Sequence, residues 1–364
     1  MTNQSGDNVA AGNRAQSADA VRISWALGTA YDFFASLFMI HNAESTGLRR
    51  AWAAGVRNRV SVRHRELLQQ IIPMVTVPVE WIGHLGDNPD GQTVLTALRS
   101  LPDHEVLPAL LDRELVESTV ISRVMAQESF SQSEIDLILK EESLCTLMPS
   151  DPRVATAMLE LFANPAGSGA LVKTALAEYY ERFFKEEELR IANYLSDALE
   201  QARGKAKRGA TVDLVEELSG GLRLEHAAEA TGLLLIPSFW VGPLVLFEKL
   251  PDGTWVILFS ARPRDVSLIP GDPVPDALTR SLQAVSDQTR LRILKLLSQS
   301  PRTQIEIARE LRLRPPTITH HLKILRLANL VRLTESTECE KRYDVRGVRL
   351  RELSDDLLAF VGID

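Results

Sequence analysis

Only two cysteines, Cys145 and Cys339, occur in 364 residues, too few and too far apart for a disulfide framework, so a reducing, cytoplasmic setting is expected. Residues 1–20 are small and polar with no apolar segment, which excludes a secretory leader and predicts a disordered tail. Long uncharged runs are scarce too. Ala230–Phe247 lacks charge, but Pro237, Gly242 and Pro243 interrupt it and Pro251-Asp252-Gly253 follows closely. That pattern predicts two buried strands around a Pro-Asp-Gly turn in preference to a membrane span. Absent as well are a Gly-x-Ser-x-Gly elbow, a Walker loop, a dinucleotide glycine pattern and His-Glu-x-x-His. The chain is therefore expected not to be an enzyme and to need neither cofactor nor metal.

The charge present is unevenly placed. Against a net −7, the stretch Ala277–Glu352 holds 16 Lys+Arg and 8 Asp+Glu, or +8, leaving 25 basic and 40 acidic residues, or −15, elsewhere. A basic module attached to an acidic body is implied.

In the body, Leu27, Tyr31, Phe34, Leu37 and Phe38 recur at helical spacing and predict a helix over 21–42. A second is expected over 47–70, ending before Pro73, with short helices over 94–99 and 108–127. Ser131-Gln-Ser-Glu134 has capping-box spacing, Asp151–Ala163 reads as helix, and Gly169–Arg203 is the longest helical pattern, with Leu171, Leu176, Tyr179, Phe183, Leu189 and Leu195 on its apolar stripe. A small β element is placed between Leu222 and Ser260, and Pro263, Pro270, Pro273 and Pro275 mark a semi-rigid linker. The expected class is mainly α: a tail at 1–20, a helical sensor or oligomerisation domain with a small β element at 21–262, a linker at 263–276, and a winged helix-turn-helix at 277–364.

The last assignment rests on three helical patterns with tight breaks. Asp287 caps a helix carrying Leu291, Ile293, Leu294, Leu296 and Leu297. Thr303-Gln-Ile-Glu306 forms a second capping box, with Ile305, Ile307, Ala308 and Leu311 expected inward. A third helix opens at Pro315 or Pro316, and Ile318, Leu322 and Leu325 at i, i+4 and i+7 fix its buried side. Its other side offers Thr317, Thr319, His320, Lys323 and Arg326, short polar groups for base edges with cations for phosphates. Residues 331–335 and 341–345 alternate as the strands of a wing, which would set Arg332, Lys341 and Arg342 along the backbone; Thr303, Arg314 and Pro316 complete the expected contact set. Double-stranded DNA is the implied partner.

Ser286-Asp-Gln-Thr-Arg-Leu-Arg-Ile-Leu, Ile307-Ala-Arg-Glu-Leu, Thr317-Ile-Thr-His-His-Leu-Lys-Ile-Leu and Ala328-Asn-Leu-Val resemble the ArsR family of winged-helix regulators, over roughly a fifth of the chain. The resemblance implies a homodimer built through the first and last helices of the module, and the regulator is expected to be a repressor. Leu278, Leu282 and Val285 supply one apolar stripe for this, and Leu350, Leu353, Leu357 and Phe360 another. Two recognition helices would then meet a palindromic operator about 34 Å apart. Metal-sensing relatives carry a cysteine pair on the helix before the recognition helix, or Asp, His and Glu ligands on the last helix. Gln304–Leu311 holds no cysteine and no histidine follows His321, so the familiar metal sites are missing. The region ahead of the module looks similar to an accessory domain of some larger relatives, which brings no known ligand.

Several residues admit two readings. His320 and His321 point about 100° apart on a helix, the first toward DNA and the second into the module. Cys339, between Glu338 and Glu340, reads as inert before it reads as a redox switch, and Cys145 as core. Arg203, Lys205, Lys207 and Arg208 suit a helix C-terminus, with an extra phosphate contact as the alternative. Trp25, Tyr31, Phe33, Phe34 and Phe38 are read as core, with a hydrophobic effector pocket as the alternative. Overall the sequence predicts a DNA-binding regulator with an unknown small-molecule effector. The competing readings are a ligand-binding or catalytic N-terminal domain whose output is DNA binding, and a protein-binding winged helix, which the polar helix face and the +8 charge oppose.

Overall fold

The computed structural model describes residues 21–46, 48–72, 75, 77–111, 118–139, 151–207, 211–224, 230–242, 245–335 and 341–363. Expectations for the tail at 1–20, for Cys145, and for Cys339 with Glu338 and Glu340 lie outside them, as do Arg208 and Pro243. The body opens with β1 (Arg22–Trp25) and continues through α1 (Thr29–His41), α2 (Ala43–Thr46), α3 (Arg50–Arg57), α4 (Val62–Ile71), α5 (Val79–Gly83), α6 (Gly91–Ser100), α7 (Val106–Leu110), α8 (Thr119–Gln127), α9 (Gln132–Ile138) and α10 (Pro152–Phe162). A long helix follows: α11 (Pro165–Tyr179), a π-helical turn (Tyr180–Phe184) and α12 (Lys185–Ala206). Then come α13 (Thr211–Leu218), β2 (Leu222–Leu224), β3 (Gly232–Ser238), β4 (Leu246–Lys249) and β5 (Thr254–Ser260). The remainder is α14 (Asp276–Val285), α15 (Gln288–Leu297), β6 (Arg302–Thr303), α16 (Gln304–Leu311), α17 (Pro315–Leu327), β7 (Val331–Glu335), β8 (Lys341–Val345) and α18 (Gly347–Val361). The chain is mainly α, and no helix among the described residues is long and apolar enough to cross a membrane.

The helix α1 is apolar nearly all round, and a helix of that kind must lie inside. Tyr31, Phe33, Phe34, Leu37 and Ile40 are buried, with Phe33 edge-on to both Phe34 and Phe184. The π turn widens the long helix so that Tyr180, Phe183 and Phe184 all enter this cluster. Tyr31, Phe33 and Phe34 are thus packed core. Leu189, expected on the same stripe, lies 81% exposed on α12, with no element among the described residues covering that side.

One sheet has the order β1-β3-β5-β4, with β1, β3 and β5 parallel and β4 antiparallel at the edge. Both of its faces are covered, as parallel strands require. Leu233, Leu235, Ile257 and Phe259 pack toward Ala202, Leu214 and Val215, while Ile236, Val256 and Leu258 join the aromatic core. The expected turn at Pro251-Asp252-Gly253 connects β4 to β5. The helix expected from residue 21 is corrected: 22–25 form a strand paired in parallel with 232–235, since Ile23 and Trp25 alternate onto the sheet face. The helix expected over 47–70 is two, α3 and α4, separated at 58–61.

Residues 263–275 form neither helix nor strand and are docked on the body, so they do not act as a free spacer. Leu268 and Ile269 are buried in the body core, Arg49 pairs with Asp272, and the Leu268 N–H donates to Asp276 Oδ2 at 2.6 Å. A second sheet, β2-β7-β8-β6, crosses the boundary. β2, expected within the body, pairs in parallel with β7 of the wing.

Candidate nucleic-acid interface

Local chemistry starts each helix of the C-terminal module. Asp287 accepts from the Arg290 N–H at 2.9 Å, and that bond is the main reason its carboxyl stays below its ordinary range. The Thr303 hydroxyl accepts from the Glu306 N–H, and the Thr303 N–H donates back to Glu306 Oε2 at 2.7 Å. This completes the capping box and lowers the Glu306 pKa. The tight turn between α16 and α17 depends on Arg312 in the left-handed region (φ 55°), and Pro315 then opens α17. Ile293, Leu297, Ile307, Ile318, Leu322 and Leu325 form the module's core.

With those three residues of α17 inside, its other side faces solvent. Arg314, Pro316, Thr317, Thr319, His320, Lys323 and Arg326 are exposed. His321 is half-buried 3.9 Å from Asp287, and burial pulls its imidazole below the ordinary value while Asp287 opposes this. Thr319 donates to the Pro315 carbonyl at 3.1 Å, so its hydroxyl is held in one orientation. Gln304 was not singled out from sequence, yet its amide donates to the Pro315 carbonyl at 2.9 Å and to the Thr319 hydroxyl. It ties the start of α16 to the start of α17. The only signal in the sequence was its place directly after the Thr303 cap.

The wing reaches the same surface through β6, where Thr303 lies opposite Arg342. Lys341 and Arg342 are exposed; Thr303 is half-buried with its hydroxyl engaged in the cap. Arg332 points elsewhere. Its Nε lies 2.7 Å from Glu216 on α13 of the body, which takes it out of the surface built by α17 and the start of β8. Ile305, expected inward, is 72% exposed, and Leu291, on the apolar stripe of α15, is 49% exposed. A helical period marks a stripe but does not guarantee a neighbour along its whole width.

α14 and α18 pack on each other behind this face. Leu278 and Leu353 are buried within the chain at 3% and 7% exposure, so neither is available to a second copy as expected from their stripes. Leu350 and Val285 are half-buried, and Leu282, Leu357 and Phe360 remain exposed beside Leu358, Val361 and Ile363.

A three-helix core, a groove-sized helix with an outward polar face and a two-stranded wing define a winged helix-turn-helix. Residues 287–332 match the family model for the bacterial regulatory protein, arsR family. That segment is an ArsR-type helix-turn-helix domain, carried behind a long N-terminal extension, and it supports a DNA-binding role in transcription regulation. No curated protein and no solved structure matches it.

Proposed function

We propose that this regulator is a repressor that binds a palindromic operator as a homodimer, with residues 21–262 sensing an effector other than the metals of its better-known relatives. The observation that carries the reading is the outward face of α17. Thr317, Thr319 and His320 sit there in the open, while Lys323, Arg326, Lys341 and Arg342 supply cations around them. Short polar groups read base edges and cations hold phosphates. Thr303, Arg314 and Pro316 border the same face, whereas Arg332 serves the contact with the body. The exposed part of α14 and α18, Leu282, Leu357 and Phe360, is the proposed dimer surface. An effector would act by binding one of two dimer arrangements more tightly.

Selection from a random DNA pool tests the reading: enriched sequences should contain two inverted half-sites about one helical turn apart. On that operator Lys323→Ala should weaken binding to all sequences and reduce the salt slope by about one unit. Recovery of no common motif would contradict the proposal.

A further inference from the structure

Where body and winged helix meet, a cavity of about 200 Å³ opens at the carboxyl ends of β3 and β5. Five arginines line it, Arg262 and Arg264 from the segment after β5, Arg280 from α14, and Arg346 and Arg349 from the start of α18. The one carboxylate in the lining, Glu217, is already paired with Lys205 at 2.7 Å.

The surrounding acids satisfy this charge unequally. Arg349 has Asp356 at 2.8 Å and Glu352 at 3.4 Å, and Arg264 has Glu352 at 2.6 Å. Arg262 is poorly served. Its side chain is only 5% exposed, its Nη2 donates to the Gly242 carbonyl at 2.7 Å, and its closest carboxylate, Asp276, is 3.6 Å from Nη1. Neither that Nη1 nor Nε of Arg280 has a hydrogen-bond partner among the described residues. Burial first, and Arg280 second, pull the Arg262 guanidinium down to about 9. Asp276 offsets this only in part, and a guanidinium removed from water without full compensation is strongly unfavourable. Guanidinium groups converging on a polar cavity match the fork geometry of phosphate and carboxylate oxygens.

We propose that this cavity binds a small, multiply charged oxyanion, a phosphate ester or a polycarboxylate, and that this anion is the effector. Its charge would complete the hydrogen bonding of Arg262 and Arg280. The cavity also touches Leu327, Ala328 and Asn329 at the end of the recognition helix, and Arg346 and Arg349 belong to the winged module. Occupation therefore joins the body to the end of α17 and favours one arrangement of the two. The regulatory half of the inference rests on the sensor role proposed above; the binding half does not.

The test is titration of the full-length chain with inorganic phosphate, a sugar phosphate and citrate, read by calorimetry and melting temperature. At least one should bind saturably and raise the melting temperature, since a ligand specific for the folded state stabilises it. Binding should be roughly tenfold weaker in Arg262→Gln and in Arg280→Gln, as expected for loss of a charged hydrogen bond, and unchanged in Arg99→Gln on the exposed side of α6. Should Arg262→Gln not fold, Arg280→Gln and Arg346→Gln carry the comparison. A rise that never saturates, or that persists equally in these variants, reflects general salt exclusion and overturns the site. Operator affinity is then measured with and without the bound anion. A change supports the effector role, whereas saturable binding without any change leaves the site standing and refutes its regulatory use.

Discussion

Asp32 and His41 stand on the same helix with opposite consequences for acid stability. Asp32 is fully buried and accepts from the Ser238 hydroxyl at 2.6 Å and from the N–H groups of Phe239 and Trp240 at 3.2 and 2.8 Å, which pins the turn after β3. Burial outweighs these bonds and raises its pKa to about 7. The folded state therefore binds a proton that the unfolded chain has released, and Asp32 contributes stability that is lost as pH rises from about 4 to about 7. Burial takes His41 the other way, down to about 4, with Arg57 adding to the shift. Its contribution is lost as pH falls from its ordinary 6.5 toward 4. Denaturant midpoints at pH 5 and 7.5 should show Asp32→Asn gaining on the native chain at the higher pH and His41→Gln gaining at the lower. Parallel profiles for all three proteins would refute both assignments. Of these residues only the aromatic neighbours on α1 were legible in the sequence. Neither partner set is local: Ser238 lies some two hundred positions away. The outward residues of α17 were legible because Ile318, Leu322 and Leu325 fix the buried side by spacing alone. Gln304 and Arg332 depend on partners that spacing does not name.

Among the elements, those set by neighbouring residues were readable, and those set by distant pairing were not. The capping boxes at Ser131 and Thr303, the Asp287 cap and the wing strands 331–335 and 341–345 all follow from local chemistry. β1 is a strand because of β3, and β2, expected as part of the body's β element, pairs instead with β7 of the wing; no short window contains either partner. β2 reaches the wing through Gly220 and Gly221, both at positive φ (69° and 106°). At Gly221 an added Cβ would come 2.8 Å from Arg346 Cδ, and the Gly221 carbonyl accepts from the Leu333 N–H at 2.9 Å. Gly221→Ala should cost about 1–3 kcal/mol through backbone strain. It should also speed amide exchange in 222–224 and 331–335 together. Faster exchange in only one of the two strands would show that they do not behave as one sheet. Glu216, between Arg332 and Arg223, holds the same junction by charge.

For the whole molecule, the division into an acidic body and a basic module was visible in the charge count, whereas the junction between them was not. The linker's prolines suggested a spacer, yet the segment is packed with Leu268 and Ile269 buried, and an arginine-lined cavity lies beside it. The proposed dimer uses the apolar residues left outside. Leu357→Glu or Phe360→Glu should yield monomers in light scattering and weaken operator binding by about tenfold or more, because an unpaired carboxylate at an apolar contact is costly to desolvate. Leu353→Glu should instead unfold the module, because that side chain is already inside. Full dimers in both surface variants would place the subunit contact elsewhere. The most direct test of the account is the ratio of operator to random-DNA affinity for the native chain and for the double variant Thr319→Val, His320→Ala. The ratio should collapse while random-DNA affinity and its salt slope stay as they were, because phosphate contacts carry those. An unchanged ratio would mean that α17 does not read the sequence.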